Sequence, residues 1–206
     1  ELNYVLIYDN YASANGGGIT FANSSGVIEN VTLSNNSAPE GSGILLAHSN
    51  TNAQIMSSII WDTITPFGAN GNGSCLALYS DLLNNPCNPS SNNISSNPQF
   101  VDPSNGDFTL QITSPCIDTG VGDGDPDGTN ADMGAYYFHQ YFGCTDQSAC
   151  NYDENANVDN GLCEYADQIC DECIDGVVYD NDADDDGVCD ANEVSGCTES
   201  NACNYN

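Results

Sequence analysis

The chain has 206 residues, of which thirty are Asp or Glu and two are His, with no Lys or Arg, for a formal net charge of −30 at pH 7. Without a cationic side chain it cannot neutralise phosphates, which excludes nucleic-acid binding, and it cannot carry a P-loop lysine, an arginine finger, a Schiff-base lysine or a Lys–Asn isopeptide crosslink. No apolar run approaches the ~18 residues of a membrane span, and an anionic lipid surface would repel the chain. Self-repulsion opposes compaction, so inorganic cations are the expected counter-charge.

Taken in chain order, Glu1 already lies inside a patterned segment with no signal peptide, so the chain reads as an internal stretch of a longer protein. Residues 1–117 are rich in Asn, Ser, Gly and β-branched residues and repeat weakly. Leu6-Ile7-Tyr8-Asp9-Asn10, followed by GGGI at 16–19, returns 25 residues later as Val31-Thr32-Leu33-Ser34-Asn35, followed by GSGI at 41–44. Ile59-Ile60-Trp61-Asp62-Thr63 follows by 28, and Leu76–Tyr79 is a candidate fourth copy. Apolar residues alternate with small or polar ones in each copy, as in a half-buried strand. Gly and Asn mark the corners, where positive φ or a side-chain turn bond is needed. A short-strand repeat of fixed period predicts a solenoid with Leu6, Tyr8, Val31, Leu33, Ile59 and Trp61 stacked inward; a β-sandwich needs no such period.

These glycine motifs resemble the right-handed parallel β-helix repeats of bacterial surface proteins. The stretch Asn97–Phe138, with NPQFVDPSNGDFTLQITSPCIDTG and then DPDGTNADMGAYYF, is similar to the terminal coil and closing segment of such helices. The resemblance implies a β-helix over 1–142 and raises polysaccharide cleavage as an activity. Lyases of that fold use Arg or Lys, which this chain lacks. Inverting hydrolysis needs two carboxylates about 6.5–9.5 Å apart, and the acids of this region form no such pair in sequence. Asp62 and Asp81 read as turn residues, and His48 and His139 as packing or surface residues. Five N-x-S/T sequons begin at Asn23, Asn30, Asn35, Asn72 and Asn93, candidate glycan sites if the source is eukaryotic.

Composition shifts near 118–142: residues 118–206 hold twenty-two of the thirty acids. Asp123, Asp125 and Asp127 before Gly128, with Asp132 nearby, form a D-x-D-x-D-G stretch, a candidate Ca²⁺ site. GCTDQSACNYD at 143–153 returns as GCTESNACNYN at 196–206, a period of 53, which delimits a cysteine-rich repeat over 143–195 and the start of a second over 196–206. The full repeat carries Cys144, Cys150, Cys163, Cys170, Cys173 and Cys189, an even set that points to internal disulfides in an oxidising compartment, with fifteen connectivities open. Zinc at Cys170-x-x-Cys173 is the rival, weakened by the lack of a second C-x-x-C and of nearby His. Of Cys75, Cys87 and Cys116, at least one stays free or pairs elsewhere.

Asp153, Asn155, Asn157 and Asp159 precede Gly161 at alternate spacing, a second candidate Ca²⁺ site. The strongest motif is Asp182-x-Asp184-x-Asp186-Gly187-x5-Glu193, a match to the calcium-loop pattern in which Val188 offers its carbonyl and Asp190 holds the ninth position. Its flanks do not form a helix pair, so a structural Ca²⁺ staple is expected rather than a sensor. The unit resembles the GCTD…ACNYD…DGxC modules of giant secreted proteins of marine bacteria and some algae, and DADDDGVCD is similar to thrombospondin type-3 calcium repeats.

The expected protein is all-β: a right-handed parallel β-helix followed by small disulfide-rich calcium-binding modules with little regular structure. Its expected role is a non-enzymatic extracellular or cell-surface segment, structural or adhesive and filament-forming, with Ca²⁺ as its cofactor. Its expected partners are further copies, other surface proteins or glycans, with no nucleic acid and no membrane insertion. The alternatives are a carbohydrate-active module, by glycan binding or cleavage, and a soluble calcium-buffering or mineral-binding protein.

Overall fold

The computed structural model of the chain describes residues 1–62, 65–88, 90–166, 168–185 and 187–193. Two compact units divide it, Glu1–His139 and Gln140–Asn206. In the first, short runs rich in Ile, Leu and Val form β1 (Leu2–Tyr8), β2 (Ile19–Ala22), β3 (Ser25–Ser34), β4 (Ile44–Ala47), β5 (Asn52–Met56), β6 (Ile59–Trp61), β7 (Phe67–Asn70), β8 (Ser74–Leu78), β9 (Asp81–Leu82) and β10 (Ser90–Ser91). β3 is flanked by β1 on one side and by β5 and β6 on the other, which pair onward with β8 and β9; β10 ends that sheet on β8. β2, β4 and β7 make a second sheet, and every one of these pairings is parallel. The chain winds alternately through the two sheets as a β-solenoid.

Interior side chains stack in ladders. Ile7, Leu33, Ile60 and Leu82 occupy one register position, and Leu2, Ile28, Ile55 and Ala77 another, against Ile19, Ile44 and Phe67 of the second sheet. The corners are ladders too. Asn23, His48 and Gly71 are successive equivalents with φ of 48°, 75° and 122°. Tyr4, Asn30, Ser57, Tyr79 and Asn92 form another left-handed series, with φ between 45° and 54°. Asn suits such positions because its short polar side chain tolerates them.

That second series corrects the expected interior. Each left-handed residue interrupts strand alternation, so Ile28 and Val31, three apart, both face inward. Independently of the kink, pairing the copies one residue out of register turns each side chain to the other face. The true offsets are 26 from β1 to β3 (Leu6 opposite Thr32) and 27 from β3 to β6 (Thr32 opposite Ile59), not 25 and 28. Val31 and Leu33 lie inside as expected. Leu6, Tyr8, Ile59 and Trp61 instead sit on the outer face: Ile59, Leu6 and Trp61 belong to a second cluster, and Tyr8 packs on Phe108 with ring centroids 5.0 Å apart.

The second cluster exists because residues 97–138 cover that outer face. β11 (Phe100–Asp102) and β12 (Asp107–Leu110) form an antiparallel hairpin that carries Phe100, Phe108 and Leu110 into it, joined by Cys116 and Met133. Gly134 must approach closely: at φ 102°, a Cβ there would stand 2.8 Å from Ile59 Cδ1 and Thr32 Oγ1. The Ala135 N–H donates to Thr32 Oγ1 at 2.9 Å, and Ser57 Oγ bonds Val121 N–H and C=O at 2.8 Å each.

The second unit has sparse regular structure. β13 (Phe142–Gly143) pairs with β14 (Val158–Asp159), and β15 (Glu172–Ile174) with β16 (Val177–Tyr179) through a turn at Asp175-Gly176, both with positive φ. Among its described residues the buried apolar side chains are Cys144, Ala149 and Cys170, while Leu162 and Ile169 are 68% and 85% exposed. Disulfides replace a core: Cys144–Cys163, Cys150–Cys173 and Cys170–Cys189 interlace, with separations of 19, 23 and 19 residues. Loops of this size confer about 3 kcal/mol each in the chain-entropy account. Cys170 and Cys173 pair with different partners, which removes the zinc reading. In the first unit Cys75 pairs with Cys87, and Cys116 is a buried free thiol. The second repeat start, 196–206, lies outside the described residues.

Leu33 is fully buried in the middle of its ladder, so Leu33→Ala should cost the first unit about 2–5 kcal/mol in urea unfolding. Tyr8→Ala, at the margin of the outer cluster, should cost less; the reverse order would show the register to be wrong.

Candidate functional site

The acidic loops were built from alternate carboxylates, and the structure places most of them against backbone N–H groups. In the first loop Asp132 is a clasp for the closing segment. Its Oδ1 accepts the Asp118 N–H at 2.7 Å and its Oδ2 the Phe138 N–H at 2.6 Å. Asp125 Oδ2 accepts the Asp132 N–H at 3.0 Å, and Asp127 Oδ1 accepts both N–H and Oγ1–H of Thr129. Asp127 Oδ2 is 3.9 Å from His139 Nδ1. Asp123 is exposed. Burial, then the charge of Asp132, raises the Asp125 carboxyl above its ordinary range; burial does the same to Asp132.

In the second loop Asp153 Oδ1 accepts from the backbone and side-chain N–H of Asn155, at 2.9 and 3.2 Å. Asn157 turns its Oδ1 to the Tyr141 N–H at 2.8 Å, and Asp159 Oδ1 accepts the Gly161 N–H at 2.9 Å. Asn157 therefore ties the loop to the start of the unit.

In the third loop Asp182 is buried and its Oδ2 accepts the Gly187 N–H at 2.8 Å, while Asp190 Oδ1 accepts the Ala183 N–H at 3.0 Å. Asp185 and Gly187 take left-handed φ of 57° and 86°. Asp184, Val188 and Glu193 are exposed, and the Cys170–Cys189 disulfide anchors the loop. Asp186 lies outside the described residues. Among the described residues, no three His, Cys, Asp or Glu side chains converge on one metal position. The donor set is nevertheless all oxygen, which suits a hard cation.

Buried carboxylates inside the solenoid were not expected. Asn10 donates its backbone and side-chain N–H to Asn36 Oδ1, and the Asn36 N–H donates to Asp62 Oδ1, so one residue per rung continues a polar ladder. Asp62 is fully buried, and its Oδ2 has no hydrogen-bond partner among the described residues. Asp81 lies in β9, not in a turn; it accepts the Ser96 N–H through Oδ1 and the Cys116 S–H through Oδ2. Burial raises both carboxyls to about 6, partly offset by those hydrogen bonds. Burial and then the Asp81 charge push the Cys116 thiol above its usual range. A second polar ladder runs Val31 N–H to Ser58 Oγ, Ser58 N–H to Ser80 Oγ and Ser80 N–H to Asn93 Oδ1. That employment of Asn93, and the burial of Asn30, leave Asn23, Asn35 and Asn72 as the exposed sequon positions.

No family model, curated protein or solved structure matches the chain. The resemblances to β-helix surface proteins and to GCTD and thrombospondin type-3 modules rest on their motifs.

Asp62 and Asp81 set a pH dependence. Their folded carboxyls protonate near pH 6 against 3.8 for the free side chain, so the native state binds more protons than the unfolded chain between those values. Their stabilising contribution is complete below about 3.8 and is lost as pH rises through 6. Urea unfolding of the first unit should show higher stability at about pH 4.5 than at 7.5, by roughly 1–3 kcal/mol per carboxyl. Asp62→Asn should flatten its share by raising the midpoint at the higher pH. A wild-type midpoint that does not fall with pH would refute this.

Proposed function

We propose that this chain is part of a long extracellular, surface-exposed structural or adhesive protein, in which a β-solenoid leads into modules stapled by disulfides and Ca²⁺. The observation that carries the reading is the second unit's composition. It has three interlaced disulfides, almost no apolar core, and acidic loops in a chain without a single Lys or Arg. Units this small need staples, and disulfides persist only in oxidising compartments. Among the described residues no helix is long and apolar enough to cross a membrane.

The third loop supports the cation half of the proposal. Its first carboxylate already closes on Gly187, and Asp184, Asp186, Asp190, Glu193 and the Val188 carbonyl supply the further oxygens. Ca²⁺ bound there would neutralise carboxylates that have no basic side chain to meet. Asp123, Asp125, Asp127 and Asp132, and Asp153, Asn155, Asn157 and Asp159, are proposed as weaker sites. The role assigned is mechanical rather than catalytic: stiff modules, without Lys or Arg for trypsin-type proteases to cut, present the solenoid to copies of the same protein or to other surface proteins.

Thermal unfolding of the oxidised chain in Ca²⁺ and in EDTA tests the staple. At a free concentration about 100-fold above Kd, Ca²⁺ should stabilise the second unit by about 2.7 kcal/mol, and Asp184→Asn with Glu193→Gln should abolish most of that gain. Identical melts in Ca²⁺ and EDTA would reject the staple. Electron microscopy of the native, unfragmented protein tests the larger role: filaments that loosen in EDTA are expected, and isolated particles in both conditions would reject it.

A further inference from the structure

The chain's only tryptophan lies on the outer face of the solenoid beside a polar cleft of about 510 Å³, well within the size range of small-ligand sites. Its walls are neutral: Trp61 and Phe100 supply aromatic surface, and Asn35, Asn97, Gln99 and Gln111 supply amides, with no carboxylate, imidazole or thiol among the described lining residues. We propose that this cleft binds a neutral saccharide.

The hydrogen bonds already made define what remains for a ligand. Asn97 Oδ1 accepts the Gln99 N–H at 3.0 Å, and Gln99 Oε1 accepts the Thr113 hydroxyl. These bonds orient the two amides with their NH₂ groups as the remaining donors. Gln111 donates through Nε2 to the Phe100 carbonyl at 2.8 Å, which fixes it and leaves its Oε1 as an acceptor. A pyranose has an apolar C–H face and a rim of hydroxyls that both donate and accept. The indole offers the matching apolar surface, and neutral amides pair with hydroxyls at lower desolvation cost than charged groups. Ser34, the rung neighbour of Trp61, is small enough to keep the floor of the cleft open beside the ring.

Other ligand chemistries fit less well. Phosphates, sulfates and uronates would be repelled by a net charge of −30 with no Lys or Arg to meet them, and an organic cation would find no carboxylate among the described lining residues. Without an acid or base at the cleft, the site binds and does not cleave. It is independent of the cation loops, so it stands or falls separately from the calcium staple.

Because Trp61 is the sole indole, its fluorescence reports occupancy directly. The oxidised full chain, in Ca²⁺-containing buffer, is titrated with tetrasaccharides of glucose, mannose, xylose and galactose, and with oligogalacturonate as the acidic probe. At least one neutral probe should give a saturable shift, and oligogalacturonate none. Calorimetry with that probe should show at least about a tenfold loss of affinity in Trp61→Ala and a smaller loss in Gln111→Ala. Gln111→Ala tests the site even if the tryptophan variant misfolds, provided its melting temperature matches wild type. The proposal is overturned by the absence of a saturable change with every neutral probe, by equal binding of oligogalacturonate, or by a folded Gln111→Ala variant with unchanged affinity.

Discussion

A carboxylate in this protein has no lysine or arginine to meet, and that constraint runs through the whole structure. What remains as partners are backbone N–H groups and neutral side-chain donors, and the backbone supplies the buried and turn contacts. Asp132 takes two, from Asp118 and Phe138; Asp62 takes Asn36, Asp81 takes Ser96, Asp182 takes Gly187 and Asp190 takes Ala183. Each such bond joins an ionisable group to a point on the main chain, so acidic residues become clasps for turns. Carboxylates that accept backbone N–H groups are stabilised in the charged form, whereas burial without enough of them raises the pKa. Asp62 and Asp81 fall on the second side of that balance.

The solenoid solves its own backbone problem by repetition. Parallel pairing satisfies successive rungs, and the left-handed corners recur at equivalent positions, so one turn geometry is used several times. Several buried polar residues are arranged as ladders, Asn10–Asn36–Asp62 and Ser58–Ser80–Asn93, in which each member bonds the next rung. The main sheet is buried on both faces where residues 97–138 cover it, which is why Asn30–Ser34 of β3 are all buried, polar residues included.

The second unit takes the opposite route to order. Its short strands and exposed apolar side chains bury too little surface to hold it, and three disulfides restrict the unfolded chain instead. The connectivity joins the first cysteine to the third, the second to the fifth and the fourth to the sixth, so the segments are tied in overlapping loops. Acidic stretches lie within these overlapping loops, and their carboxylates accept backbone N–H groups.

Local chemistry made several features readable from sequence alone. Asn and Gly at corners announce left-handed backbone, a period of 25 to 28 residues announces stacked rungs, and an even cysteine set announces internal pairing. Val31 and Leu33 were legible as core because alternation holds within their half-strand. Leu6, Tyr8, Ile59 and Trp61 were not, because offsets of 25 and 28 in place of 26 and 27 slip the register by one residue and the segment that covers them lies far along the chain. The same distance hid the Asp81–Cys116 contact, 35 residues apart, and the cleft beside Trp61, whose walls come from β6, β11 and the residues around them. The sequence by itself determined the architecture, its charge and its stapling, since those follow from local propensity and composition. Tertiary structure alone decided which face each side chain takes, which cysteines join and where a cleft opens, because those depend on register and on contacts between remote segments.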